Sequence, residues 1–73
     1  MEERARRIVA ILEAEVKAIC ADAGLHPESL EGLCDGLERD DECCRMLSAP
    51  VRDALLSLLQ LRRDMLAIRV HHR

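Results

Sequence analysis

The residues best suited to chemistry in this chain are its four cysteines and three histidines. Cys34, Cys43 and Cys44, joined by His26 or by His71 and His72 at the carboxyl end, would supply enough soft and imidazole ligands for zinc or cuprous copper. Their spacing does not favour that use. No pair is separated by two residues, and adjacent Cys43 and Cys44 point about 100° apart on a helix, so one chain readily offers only one of them to a shared ion. Cys20 and Cys34 fall on or beside apolar faces, where a cysteine behaves as a small buried hydrophobe. The expectation is structural thiols and no cofactor. A thiol-based metal or redox sensor built on Cys34, Cys43, Cys44 and His26 is the alternative. His71-His72-Arg73 reads as a hydrated tail. Without a nucleophile motif, a phosphate loop or paired carboxylates in an apolar setting, the chain does not read as an enzyme.

Charge supplies the second candidate. Placed on a helical wheel at about 100° per residue, the last third of the chain shows two apolar stripes. Ala54, Leu58, Leu61, Met65 and Ile68 form one; Leu55, Leu59, Leu66 and Val70 form the other. Arg62 and Arg69 lie between them, at the centre of an apolar arc of roughly 200°, where a solvated face would not put them. Glu15 occupies the comparable place among Ile8, Ile11, Leu12 and Ile19. Three readings follow. The charges snorkel to water beside their stripes, Glu15 and Arg62 form a buried pair that fixes helix register, or the two arginines hold an anion.

These residues need elements to carry them. Ile8, Ile11, Leu12, Val16, Ile19 and Ala23 recur at helical spacing, and Gly24 stands where such a helix would end, giving a helix over about 3–23. With His26 as cap, Pro27 in the first turn and Leu25 and Leu30 as a hydrophobic staple, a short helix is expected over about 27–37. Asp40 or Asp41 would cap another over about 40–47. Ser48 and Pro50 open the final helix, about 49–70. The expected fold is therefore all-α, a single domain over 1–73 with two long helices joined by one or two short ones, its bundle completed by oligomerisation.

Composition narrows the function. Seventy-three residues without Trp, Tyr or Phe must build an aliphatic core, and a chain this short gains little stability without an added constraint or a partner. Residues 1–21 carry four acids and four bases, residues 22–42 eight acids and one base, and residues 43–73 two acids and six bases. An acidic middle and a basic end favour docking of one on the other, within a chain or between subunits. The arginines Arg52, Arg62, Arg63, Arg69 and Arg73 spread around the helix with no aromatic residue to stack bases, which argues against nucleic acid.

The opening Glu2-Glu3-Arg4 does not read as an export signal, no apolar run approaches a membrane span, and four cysteines then suit a reducing cytoplasm. The stretch from Asp41 to His72 loosely resembles the small all-helical metal-sensing repressors that hold Cys and His ligands between subunits. It departs from them in lacking their basic first-helix pattern. The function expected from the residues themselves is a small cytoplasmic helical interaction protein, an oligomeric adaptor or an accessory or regulatory subunit. It would bind a second copy or another helical protein through Leu55, Leu59, Arg62, Leu66, Arg69 and Val70.

Overall fold

A computed structural model describes residues 3–39 and 42–71, and for Glu42, Cys43 and residues 68–71 the backbone alone. Among the described residues four helices follow one another: α1 (Glu3–Ala23), α2 (Leu30–Arg39), α3 (Glu42–Arg45) and α4 (Ala49–His71). No strand occurs among the described residues, so the chain is all-α, and the long helices lie where the sequence places them.

The ends of the helices have local chemical causes. Gly24 adopts φ 77°, a left-handed conformation that costs a side-chain-bearing residue about 1–2 kcal/mol. This turn lets Leu25 N–H donate to the Cys20 carbonyl at 2.8 Å and Gly24 N–H donate to the Ala21 carbonyl at 3.2 Å, satisfying two carbonyls that the helix end would leave orphaned. Leu25 is thereby folded back against the core.

The start of α2 differs from the sequence reading. Ser29, not His26, is the cap: its Oγ accepts from Gly32 N–H at 2.9 Å and its carbonyl from Leu33 N–H at 3.0 Å. A short hydroxyl reaches the third amide of the helix more readily than a branched imidazole does, and a cap of this type contributes about 1 kcal/mol. Pro27 consequently lies in the connection before the helix. At α4 the expectation holds, with Ser48 Oγ facing Val51 N–H at 3.4 Å, its carbonyl accepting from Arg52 N–H at 2.9 Å, and Pro50 in the first turn. The caps expected at Asp40 and Asp41 lie outside the described residues.

Helices α1 and α4 pack along one another, and α2 packs on α4. The core is aliphatic with thiols among it: Val16, Cys20, Leu33, Cys34, Leu37, Cys44, Leu55 and Leu59 are all buried in one cluster. Val9 and Leu12 extend the buried seam toward the amino end of α1. The molecule measures 41 × 22 × 21 Å. At 1.5 Å per residue the 10-residue α2 spans only about 15 Å, against about 31 Å for the 21-residue α1 and about 34 Å for the 23-residue α4. The short helix therefore covers one side of part of a longer two-helix layer.

Candidate interaction face

Two faces of α4 compete for the inside of the molecule, and the structure resolves the competition against the sequence reading. Leu55 is 0 % exposed and Leu59 2 % exposed, both within the chain's own core. Neither is free to meet a partner, as the sequence reading expected. Leu66 is half-buried and lines a cleft with Leu30, Leu59 and Arg62. The expectations for Arg69 and Val70 fall on side chains outside the description. The physical reason is α2: its Leu33, Cys34 and Leu37 supply the apolar cover that the sequence reading had sought from a second molecule.

The stripe left outward is the other one. Leu61 is 47 % exposed, Ala54 is exposed, and Leu58 and Met65 are half-buried. On α1 the inward seam is Val9, Leu12, Val16 and Cys20, while Ile11 is 61 % exposed and Ile8 and Ile19 are half-buried. A shallow depression lined by Arg4, Ala5, Ile8 and Met65 joins the two stripes into one face. Leu61 and Arg63, two residues apart, point about 200° around the helix from each other, and Arg63 meets α2. The joined face thus lies on the side of the α1–α4 layer away from α2.

The arginines of α4 hold the other edges. Arg62, with its side chain 14 % exposed, donates from Nε to Glu13 Oε2 at 2.8 Å and from Nη1 to Glu31 Oε2 at 3.3 Å, joining all three larger helices. Burial alone would lower its pKa, but the bond and charge of Glu13, and then those of Glu31, raise it. Arg63 Nη2 and Gln60 Nε2 both donate to Glu38 Oε2, at 2.8 and 3.3 Å. Glu31 is held below the usual carboxylate range by its own backbone amide and by Arg62, and Glu38 by its bonds to Arg63 and Gln60. Glu31 and Glu38 therefore stay charged at a pH where an ordinary glutamate begins to protonate.

The pair expected between Glu15 and Arg62 is corrected by this geometry. Arg62 does meet a carboxylate of α1 in a largely buried seam, but that carboxylate is Glu13, and Glu15 is exposed with no ion-pair partner among the described residues. The arc through Ile8, Ile11, Leu12 and Ile19 has only Leu12 in common with the buried seam, which runs through Val9, Leu12, Val16 and Cys20. Glu13 sits beside that seam, four residues after Val9 and three before Val16. Glu31, Glu38 and Arg63 were also missed, although the acidic middle and the basic end of the sequence carried their signal. That docking is intramolecular.

The thiols of Cys20, Cys34 and Cys44 lie in the core. All three are buried, and none of them is in a disulfide. Burial pushes the Cys20 thiol up, and burial, with the charge of nearby Glu38 adding to it, does the same to Cys34. His26 is exposed, and among the described residues no group of three or more His, Cys, Asp or Glu could hold a metal ion. Cys43, His71 and His72 lie outside the described side chains. A protonated, enclosed thiol reacts only when the chain opens. Cys20, Cys34 and Cys44 are therefore expected to react with an aromatic disulfide reagent at least about a hundredfold more slowly in the native protein than in denaturant. Stopped-flow absorbance checks this, and rapid modification of any of the three in native buffer would contradict the burial.

Among the described residues no helix is long and apolar enough to cross a membrane. No protein family, curated protein or solved structure matches the chain.

Proposed function

We propose that this chain is a small helical interaction protein, an oligomeric adaptor or an accessory or regulatory subunit, that docks a protein partner on the outward face shared by α1 and α4. The observation that carries the reading is the pairing of Ile11, 61 % exposed, with Leu61, 47 % exposed, on one side of a two-helix layer whose opposite side is already covered by α2. Large aliphatic side chains left together in water mark a place where another surface fits. An α1–α4 layer accepts helices by the same ridge-and-groove packing that already seats α2 on its other side. The C-terminal helix keeps the central part that the sequence reading gave it, through Leu61 and Met65 instead of Leu55 and Leu59.

Enclosed thiols with raised pKa values support this reading over a thiol sensor, whose cysteines need exposure and thiolate character. Cys20, Cys34 and Cys44, buried and outside any disulfide, also accord with a reducing, cytoplasmic setting.

Leu61→Arg tests the reading, because it places a charge on the face without touching the core. The expected result is loss of association, with itself or with whatever co-purifies, while helix content stays at the wild-type value. Sedimentation equilibrium and circular dichroism read the two. A wild-type chain that sediments as one copy, brings down nothing on purification and behaves identically after Leu61→Arg would refute the proposal.

A further inference from the structure

The outward stripe of α1 has an order along its length that an unspecific apolar patch lacks. Arg4, Ile8, Ile11, Glu15, Ala18 and Asp22 follow one another in steps that alternate four and three residues, the spacing of a coiled-coil seam. Ile8 is half-buried and the other five are exposed, so this seam is open in the single chain. Its amino end is basic, its middle aliphatic and its carboxyl end acidic. Such a stripe is the complement of itself turned end for end.

We infer that the partner seated on this face is a second copy of the chain, with α1 packed antiparallel on the α1 of the other copy, so that Arg4 meets Glu15 of the partner subunit and Ile8 meets Ile11 of the partner subunit. The inference rests on the interaction reading above and names its partner. A two-fold axis makes each of these contacts occur twice. It also turns α4 antiparallel on its counterpart, and the outward stripe of α4 fits the same operation. Ala54, Leu58, Leu61 and Met65 again step by four, three and four residues, and an axis midway between Leu61 and Met65 sets each of these against the other.

The two axes must coincide for one dimer to satisfy both stripes, and they do. Met65 lies beside Ile8, and Arg62 reaches Glu13, which fixes the relative height of α1 and α4. The midpoint of Ile8 and Ile11 and the midpoint of Leu61 and Met65 are then less than about one helical turn apart along the layer. Nothing in the packing of either stripe against the core requires this agreement. A charged rim around an aliphatic centre is also how antiparallel helices set register and orientation. Arg4 and Glu15 are exposed, and neither has an ion-pair partner among the described residues.

Complementation of charge variants tests the register. Arg4→Glu and Glu15→Arg each set like charges against one another at both ends of the seam, and each alone is expected to weaken self-association about tenfold or more. Mixed together they are expected to recover it, because position 4 of one chain and position 15 of the other then carry opposite charges at both ends. Sedimentation of each variant alone and of the equimolar mixture reads the result, with circular dichroism confirming that both remain helical. A wild-type chain that stays monomeric at micromolar concentration overturns the inference and leaves the face to a different protein, which Leu61→Arg still tests. A wild-type dimer whose single variants associate normally overturns it as well. So does a mixture that recovers nothing, the outcome expected if α1 lies on the partner's α4 or if Arg4 meets Asp22 of the partner subunit.

Discussion

Leu55→Ala is expected to destabilise the chain by about 3 kcal/mol, within the range of about 2–5 kcal/mol for leucine truncation in a closed core. Leu61→Ala in the dilute, monomeric protein is expected to cost no more than about 0.5 kcal/mol. The two leucines sit six residues apart on one helix with opposite surroundings: Leu55 is 0 % exposed within the central cluster, and Leu61 is 47 % exposed on the outward face. A chain of this length has a total stability of about 4–11 kcal/mol, so the first substitution removes a large share of it. In thermal denaturation the difference should appear as a fall of about 15 °C or more for Leu55→Ala and a shift of a few degrees at most for Leu61→Ala. Comparable losses at both positions would mean that α4 is rotated from the orientation described, with the other stripe inward.

That orientation is what the sequence could not decide. The ends of the helices were legible because each rests on local chemistry. A glycine able to adopt positive φ stops α1 at Ala23, and Ser48 with Pro50 in the first turn starts α4 at Ala49. His26 against Ser29 was a contest between two nearby caps, lost to the shorter side chain. The rotation of α4 about its own axis is a different kind of quantity. Two apolar stripes flank Arg62, both would gain from burial, and the choice depends on the side on which α2 returns after the connection through residues 24–29. Leu33, Cys34 and Leu37 make that choice by covering Leu55 and Leu59. The free stripe then passes to Leu61 and Met65, and the interaction face moves with it.

The charged seam repeats the lesson at finer scale. Glu13 and Glu15 are two residues apart and about 200° apart on the helix, so a modest error in locating the buried centre exchanges them. Three isoleucines, Ile8, Ile11 and Ile19, draw the apparent centre toward the outward face, although two of them are only half-buried and Ile11 is largely exposed. The valines Val9 and Val16, with Cys20, mark the true one. That a carboxylate meets Arg62 across the long helices followed from the cost of burying a guanidinium unpaired. Which carboxylate meets it required the actual rotation of α1.

Double-mutant cycles separate the two glutamates energetically. Arg62 with Glu13 is expected to show a coupling of about 1–2 kcal/mol, because the guanidinium is 14 % exposed and donates a short, charge-assisted bond to a carboxylate that is itself 32 % exposed. Arg62 with Glu15 is expected to show less than about 0.5 kcal/mol in the monomer, since the two are not in contact. The single substitutions should also be unequal. Glu13→Leu leaves a largely buried cation with only the longer bond to Glu31, whose side chain is 73 % exposed, whereas Arg62→Met leaves Glu13 able to turn toward water. Glu13→Leu is therefore the more damaging of the two, and adding Arg62→Met to it should recover part of the loss by restoring an aliphatic seam. Denaturant unfolding below the concentration at which the chain associates measures all four corners of each cycle. Equal, additive losses at positions 13 and 62, or a larger coupling to Glu15 than to Glu13, would show that Arg62 is not the fastener that joins α1, α2 and α4.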